Sequence, residues 1–380
     1  MSTFVLDEDR LTLQKVTREF VQRYVRPVAA EWDEKGETPL ELYRLAVQHG
    51  FATFAWPKEV GGLGLPFLYQ VVITEELSKG DVGIANTLGA TSFAGRPVLD
   101  SGTDAQKQFI ADIILKQGGM GSFALTEPNA GSDASKIRTT AVKSGDEYIL
   151  NGRKCFITNA PNAQFFVLFA KTAPERGHRG ISAFLVERDR PGVSTGKHEN
   201  KMGFRLATAG DVVLEDVHVP AENLIGVENK GYGLAMKILD YSRIGVAAEA
   251  VGVAQRALDL AVEYAKGRTT FGQPIARHQG IAFKLADIEM RIQAARSLAY
   301  QAAELADAGA AGFGKISSCA KAFASETAEF ATREAVQIFG GYGYMKDYEV
   351  EKLFRDAKLL SIFEGTNEIQ RVITSSYLLK

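Results

Sequence analysis

Glu147-Tyr148-Ile149-Leu150-Asn151-Gly152-Arg153-Lys154-Cys155-Phe156-Ile157-Thr158 decides the fold class of this chain. Two runs rich in β-branched and aromatic residues flank Asn-Gly, a pair suited to a type I′ turn, so the spacing predicts a β-hairpin. Similar short runs surround it at Phe165–Ala170, Ile181–Val186 and Asp211–Leu214, separated by Gly, Asn, Asp and Pro. From Ser122 to about Val227 the chain therefore reads as β structure.

On both sides the periodicity changes. Leu13, Val16, Phe20 and Tyr24 recur at three- and four-residue steps, and Asp7, Glu8 and Asp9 suit a helix start. Trp56-Pro57 and Gly61-Gly62-Leu63-Gly64 interrupt this helical text with a turn. No strand precedes those glycines and no Gly-Lys-Ser/Thr follows, so a phosphate cradle is disfavoured. Beyond Gly231, Ile244, Ala247, Val251, Ala254, Leu258, Ala261 and Ala265 mark the seam of closely packed helices, with Gly267 ending the first. Further helices are expected at about 279–308, 312–340 and 367–379. The fold class expected is α+β multidomain: an N-terminal α-helical domain at 1–118, a middle β-barrel or β-sandwich domain at 119–230, and a C-terminal four-helix bundle at 231–380. This order excludes a doubly wound α/β fold, and Gly340-Gly341-Tyr342-Gly343 follows a helix rather than the strand a dinucleotide fingerprint requires.

Composition narrows the function classes. The chain has 380 residues, 46% hydrophobic and 24% charged, with a formal net charge of −2, so no basic field invites nucleic acid. No apolar run reaches the ~18–20 residues of a membrane span, and Met1–Glu8 lacks the pattern of a secretory signal. Cys155 and Cys319 are expected as reduced thiols. The five histidines show no metal-ligand spacing, so no metal site is expected.

Four segments could carry chemistry. In Ser361-Ile362-Phe363-Glu364-Gly365-Thr366-Asn367-Glu368, a single carboxylate follows apolar residues and precedes a helix start capped by Thr366. Desolvation raises a carboxyl pKa by up to several units, whereas a helix N-terminus opposes it by only ~0.3–1 kcal/mol, so Glu364 is expected to be poised as a general base. On these residues alone an ordinary loop glutamate is the commoner reading. Phe123-Ala124-Leu125-Thr126-Glu127-Pro128-Asn129-Ala130-Gly131-Ser132-Asp133 offers backbone N–H groups and hydroxyls to a flavin edge or a phosphate, or is an ordinary turn. Arg268-Thr269-Thr270-Phe271 sets a cation and an aromatic beyond a helix end, suited to a pyrophosphate and adenine, though such an arginine is also a common solvated cap. Asp240 and Arg243, spaced i,i+3, are more often a surface ion pair than a ligand clamp.

Taken together, the segments resemble the acyl-CoA dehydrogenase family over essentially the whole chain. The matching motifs are Leu125-Thr126-Glu127-Pro128 through Gly131-Ser132-Asp133, Phe156-Ile157-Thr158-Asn159, and Arg268 with Phe271-Gly272 and Pro274-Ile275. Gln337-Ile338-Phe339-Gly340-Gly341-Tyr342-Gly343-Tyr344 and Phe363-Glu364-Gly365-Thr366-Asn367 complete the set. The resemblance implies FAD, a homotetramer built as a dimer of dimers, an electron-transferring flavoprotein as acceptor, a role in fatty-acid β-oxidation and a cytoplasmic (bacterial-type) or mature matrix location. It implies that Phe123, Leu125, Thr126, Ser132, Phe156 and Thr158 line the flavin. Arg268, Phe271, Gln279, Gln337, Gly340 and Gly341 would hold the adenosine diphosphate half of a neighbour's FAD, completed by Thr366 and Glu368. Ser132, Asp240, Arg243 and Gly365 would contact the acyl-CoA.

The reaction implied is dehydrogenation to the trans-2-enoyl-CoA. Glu364 removes the α-proton while the β-hydride leaves to flavin N5, with the Glu364 N–H and a ribityl hydroxyl polarising the thioester carbonyl. The sequence departs from the family pattern at Phe156, often Trp, and at Gly267, commonly Glu. Ser242 stands where some branched- and long-chain members carry their base and cannot serve as one. The expected substrates are short- to medium-chain, branched or cyclic acyl-CoAs. An acyl-CoA oxidase usually adds a C-terminal helical domain, and a non-catalytic flavin-binding interaction protein would not need Glu364; both are weaker alternatives.

Overall fold

A computed structural model describes residues 7–379; the reading of Met1–Leu6 as free of a signal lies outside them. Six helices come first: α1 (Glu8–Phe20), α2 (Arg26–Lys35), α3 (Leu40–Gln48), α4 (Phe67–Ser78), α5 (Val82–Ser101) and α6 (Asp104–Ala111). Asp7 caps α1 by accepting from Arg10 N, as the acidic start predicts.

Eight strands follow: β1 (Gly121–Ala124), β2 (Thr140–Ser144), β3 (Glu147–Thr158), β4 (Phe165–Lys171), β5 (Ile181–Glu187), β6 (Val193–Thr195), β7 (Ala209–Pro220) and β8 (Leu224–Ile225). They form one sheet ordered β6-β7-β3-β2-β4-β5-β8, with β1 parallel to β4. From Phe165 to Ala170, β4 is buried at every position, which explains its uninterrupted apolar sequence.

The hairpin expected at Asn151-Gly152 is not there. Glu147–Thr158 is one twelve-residue strand, and the β2–β3 turn lies earlier, around Gly145. Asn151-Gly152 instead marks a shift in register against β7. Gly152 is required by close approach: a Cβ there would meet Thr139 Oγ1 at 2.4 Å and Thr139 Cα at 2.8 Å. Asn151 clamps the irregularity, donating to Asp216 Oδ1 at 2.9 Å and accepting from Asp216 N at 2.8 Å.

The chain then returns to helix with α7 (Gly231–Gly267), the short ribbon β9 (Thr269–Thr270) and β10 (Gln273–Pro274), α8 (Gln279–Asp307), α9 (Phe313–Phe339), α10 (Val350–Leu360) and α11 (Asn367–Leu378). All seven seam residues of α7 are buried. α10 escaped the sequence reading because its inward stripe includes the charged Lys352 and Asp356 beside Val350, Leu353, Ala357 and Leu360. Two cores result. One joins the first helices to the sheet, and the other fills the bundle and takes in Leu68, Val71 and Val72 of α4. Among the described residues no helix is long and apolar enough to cross a membrane.

Candidate active site

Glu364 lies on the six-residue connection between α10 and α11. Thr366 caps α11, accepting from Ile369 N at 3.4 Å. Glu364 is held at φ +53° and Gly365 at φ +87°. A non-glycine residue in this region costs roughly 1–2 kcal/mol, so the surrounding contacts must impose it. Gln370 Nε2 donates to Glu364 O at 3.2 Å and to Gly365 O at 2.8 Å. From α9, the fully buried Lys321 donates to Gly365 O at 2.9 Å and to Asn367 Oδ1 at 3.1 Å. At φ +87° Gly365 holds a conformation that L side chains rarely adopt, which favours glycine beside the carboxylate, and a Cβ would also push on Gln370 Nε2 at 2.7 Å.

Ser242 Oγ on α7 donates to Glu364 Oε2 at 2.7 Å. Burial pushes the Glu364 carboxyl above its usual range; the Ser242 hydrogen bond and the charges of Arg243 and Lys321 oppose this without cancelling it. Desolvation wins, as expected from the flanking sequence. Burial also lowers Lys321, to about 8. Asp240 and Arg243 are not the surface pair that their spacing favours: Arg243 is 5% exposed, ion-paired with Asp240, and its buried Nε has no hydrogen-bond partner. Asp240, Arg243, Glu364 and Gly365 thus belong to one neighbourhood, anchored on α7 and the loop.

A second group gathers on the sheet. Buried Lys154 donates to Glu127 Oε1 at 2.8 Å and to Leu125 O at 3.1 Å. Glu127 also accepts from Arg138 N, Thr139 N and Thr139 Oγ1. This knot fixes the turn after β1, and Cys155 N donates to Thr126 O at 3.0 Å, drawing Thr126 towards the end of β3. There Phe156 is 69% exposed at φ +58°, with the half-buried Thr158 two residues on. A strained backbone that presents a large apolar ring, close to two part-open hydroxyls, fits a planar polar ring system. The Phe123 ring packs with Phe93 and Phe169, each at 4.8 Å, backing this surface. Ser132 is exposed on the following loop.

A third group surrounds a cavity of about 630 Å³ that brings Arg268 together with Gly340 and Gly341, and adds Tyr264, Thr270 and His278. Phe271 is 97% exposed on the adjoining turn at φ +48°, while Gln279 and Gln337 are exposed on α8 and α9. Thr366 and Glu368 start α11, beside Glu364 rather than on this cavity's wall.

Sequence reasoning missed Ser242 as a partner of Glu364, and missed Lys321, Gln370, Lys154 and His278. One signal was available: Lys321 interrupts a stripe of small buried residues on α9 formed by Ser317, Ala324, Ala328, Ala331 and Ala335. A charge there must meet a buried partner.

Comparison with known proteins agrees with this geometry. The chain matches the acyl-CoA dehydrogenase N-terminal domain over residues 7–115, the middle domain over 122–217 and the C-terminal domain over 229–379. It is 44% identical over 373 residues to an acyl-CoA dehydrogenase of Bacillus subtilis, covering 98% of each chain. It is also 44% identical over 377 residues to the caffeyl-CoA reductase-Etf complex subunit CarC of Acetobacterium woodii, covering 98% of this chain and 99% of that protein. The butyryl-CoA dehydrogenase structure from Megasphaera elsdenii superposes with a TM-score of 0.96 at 43% identity, covering 100% of both chains. The chain belongs to the acyl-CoA dehydrogenase family and is a flavin-dependent oxidoreductase acting on the CH–CH group of an acyl-CoA.

Proposed function

We propose that the flavin is FAD and that Glu364 is the base that removes the α-proton of the acyl-CoA, forming the trans-2-enoyl-CoA. The observation that carries this reading is the Glu364 carboxyl itself: desolvated, raised in pKa, bonded to Ser242, and fixed on a left-handed turn by Lys321 and Gln370. A carboxyl raised above its ordinary range is a stronger proton acceptor than a surface glutamate, which is what general-base catalysis asks of it. Rigid attachment makes its position relative to the substrate α-carbon reproducible. Ser242 stabilises the carboxylate before transfer and can rotate as the charge disappears.

When bound, the flavin supplies the hydride acceptor that side chains cannot provide. Phe156, Thr126 and Thr158 are suited to face its ring, with Phe123 and Leu125 behind them and Ser132 reaching both flavin and substrate. The cavity beside Arg268, Gly340 and Gly341 suits the adenosine diphosphate half, which favours FAD over a mononucleotide. Phe271, Gln279 and Gln337 would extend that contact, and Thr366 and Glu368, away from its wall, would complete it from a neighbouring subunit of a homotetramer. The exposure of Phe271 at 97% and Leu379 at 85% supports an assembled state. Asp240 and Arg243 would meet the CoA arm, and Gly365 the thioester. Domain boundaries at 1–118, 119–230 and 231–380 follow the changes of texture. The CarC relative, named for a reductase complex with Etf, supports an electron-transferring flavoprotein as redox partner, and in the dehydrogenase direction that partner would be the acceptor.

The test is anaerobic titration of the purified holoenzyme with butyryl-, hexanoyl-, octanoyl- and isovaleryl-CoA. Bleaching of the flavin by at least one thioester is expected; no bleaching by any would overturn the reading.

A further inference from the structure

Two turns beyond Ser242, α7 carries a second buried carboxyl that proton abstraction does not use. Glu249 is 4% exposed and follows Ser242 by seven residues, so it lies on the same stripe of the helix, about 10 Å further along the axis. Its Oε1 accepts from Asn86 Nδ2 at 3.2 Å, across the contact between α5 and α7. Its Oε2 is buried with no hydrogen-bond partner. An acid kept in a core solely for packing normally has both oxygens satisfied, and a leucine would fill the same space without desolvating a polar group.

Burial raises the Glu249 carboxyl to about 8; the Asn86 amide opposes the rise and the nearby Glu364 charge adds to it. Glu249 is therefore mainly protonated at neutral pH, and Oε2 offers an O–H donor. That donor lies close enough to Glu364 to feel its charge, on the helix that supplies Ser242 to the same carboxylate. Along α5, Phe93 packs against Phe123 of the surface assigned above to the flavin. Asn86 and Glu249 thus sit on the two helices that border both halves of the site.

We propose that Glu249 and Asn86 form a polar end wall to the acyl site, and that the preferred acyl-CoA bears a hydroxyl or carbonyl oxygen several carbons beyond the reacting bond, which accepts from Glu249 Oε2. The inference rests on the assignment of Glu364 as base, because it places the acyl chain between Glu364 and the far end of the stripe. It makes Glu249 a specificity-determining residue, touching the substrate away from the atoms that react.

The experiment compares hexanoyl-CoA with 5-oxohexanoyl-CoA and 5-hydroxyhexanoyl-CoA as reductants of the holoenzyme flavin. The wild type is expected to favour at least one oxygenated thioester in kcat/KM by about tenfold, the scale of one buried hydrogen bond. The two oxygenated arms separate a carbonyl from a hydroxyl. Glu249→Gln, whose amide also donates, should retain the preference, and Glu249→Leu should reverse it. A wild type that favours hexanoyl-CoA, or a ratio unmoved in Glu249→Leu, overturns the proposal. If Glu249→Leu does not fold, the wild-type ratio still decides. Bleaching by any of the three sustains the dehydrogenase reading however the ratio falls; bleaching by none, nor by the unsubstituted thioesters of the earlier panel, overturns that reading and this inference with it.

Discussion

Three of the seven non-glycine residues at positive φ among the described residues lie where chemistry is expected. Glu364, Phe156 and Phe271 all adopt this conformation, at φ +53°, +58° and +48°, and each belongs to a different one of the three groups of site residues. Strain of this kind persists only where neighbours impose it, and around Glu364 the neighbours are Lys321 and Gln370. Replacing Glu364 with Gln keeps the shape and removes the basicity. Flavin reduction by a good substrate is expected to fall by about 10²–10⁴-fold with flavin content unchanged, read by anaerobic stopped-flow absorbance. Ser242 gives a finer test. Its hydroxyl stabilises the charged form of Glu364, so Ser242→Ala should raise the carboxyl pKa further. Because the base must be ionised, the acid limb of the reduction rate should move to higher pH; a limb that moved lower would contradict the contact. Glu364 was visible in the sequence because one carboxylate stands between apolar residues and a glycine. A serine cannot replace a carboxylate base, so Ser242 reads as inert in the sequence, where nothing local shows a contact across 122 positions.

At the scale of elements, strand and helix identity followed periodicity, while two local rules gave way to packing. Asn151-Gly152 satisfies the signature of a turn, yet β3 runs through it, paired with β7 on both sides, and the glycine serves the close approach of Thr139 instead. Short-range turn chemistry cannot report a neighbour that is remote along the fold. α10 was hidden for the converse reason: Lys352 and Asp356 occupy buried positions, so its inward face does not read as apolar. The seam of α7, made almost wholly of alanine and branched aliphatics, had no such disguise. The bulge yields its own prediction. Gly152→Ala places a Cβ at 2.4 Å from Thr139 Oγ1 and 2.8 Å from Thr139 Cα, and backbone cannot swing aside as a long side chain can. Urea unfolding is expected to show a loss of roughly 2 kcal/mol or more. A loss near 1 kcal/mol would instead match an exposed turn.

The whole molecule is held at a joint that no single segment announces. Lys352 of α10 donates to Asp81, the N-cap of α5, and to Asp356, each at 2.6 Å. Asp356 accepts from Phe204 N at 2.6 Å, on the loop between β6 and β7. Arg355 adds Asp33 of α2 at 2.7 Å, so the first helices, the sheet region and the bundle meet in one buried ion cluster. Phe204 in turn packs edge-on against Phe363 at 5.7 Å, immediately before Glu364, which links the joint to the base. The helix–sheet–helix order was legible in the sequence; this cluster was not, because its members are scattered from Asp33 to Asp356. Burial opposes the charge on Lys352, but Asp356 and Asp81 outweigh it and hold its pKa above the usual lysine range. Its contribution is therefore complete throughout the neutral range and fades only as pH rises beyond that of a free lysine. Lys352→Met would remove the cation bonded to both buried carboxylates, leaving the nearby Lys201, which feels their charge while donating to Phe204 O and Ala207 O. Asp356 is already raised by burial and by Asp81, and loss of Lys352 raises it further. A raised carboxyl stabilises the fold below its unfolded pKa and loses that stabilisation as pH rises, so the damage must grow with pH. The variant is expected to lose about 3–5 kcal/mol in urea unfolding at pH 8 and clearly less at pH 5.5, where the raised Asp356 carboxyl takes up a proton more readily. An equal loss at both pH values would show that Lys352 acts through packing rather than charge.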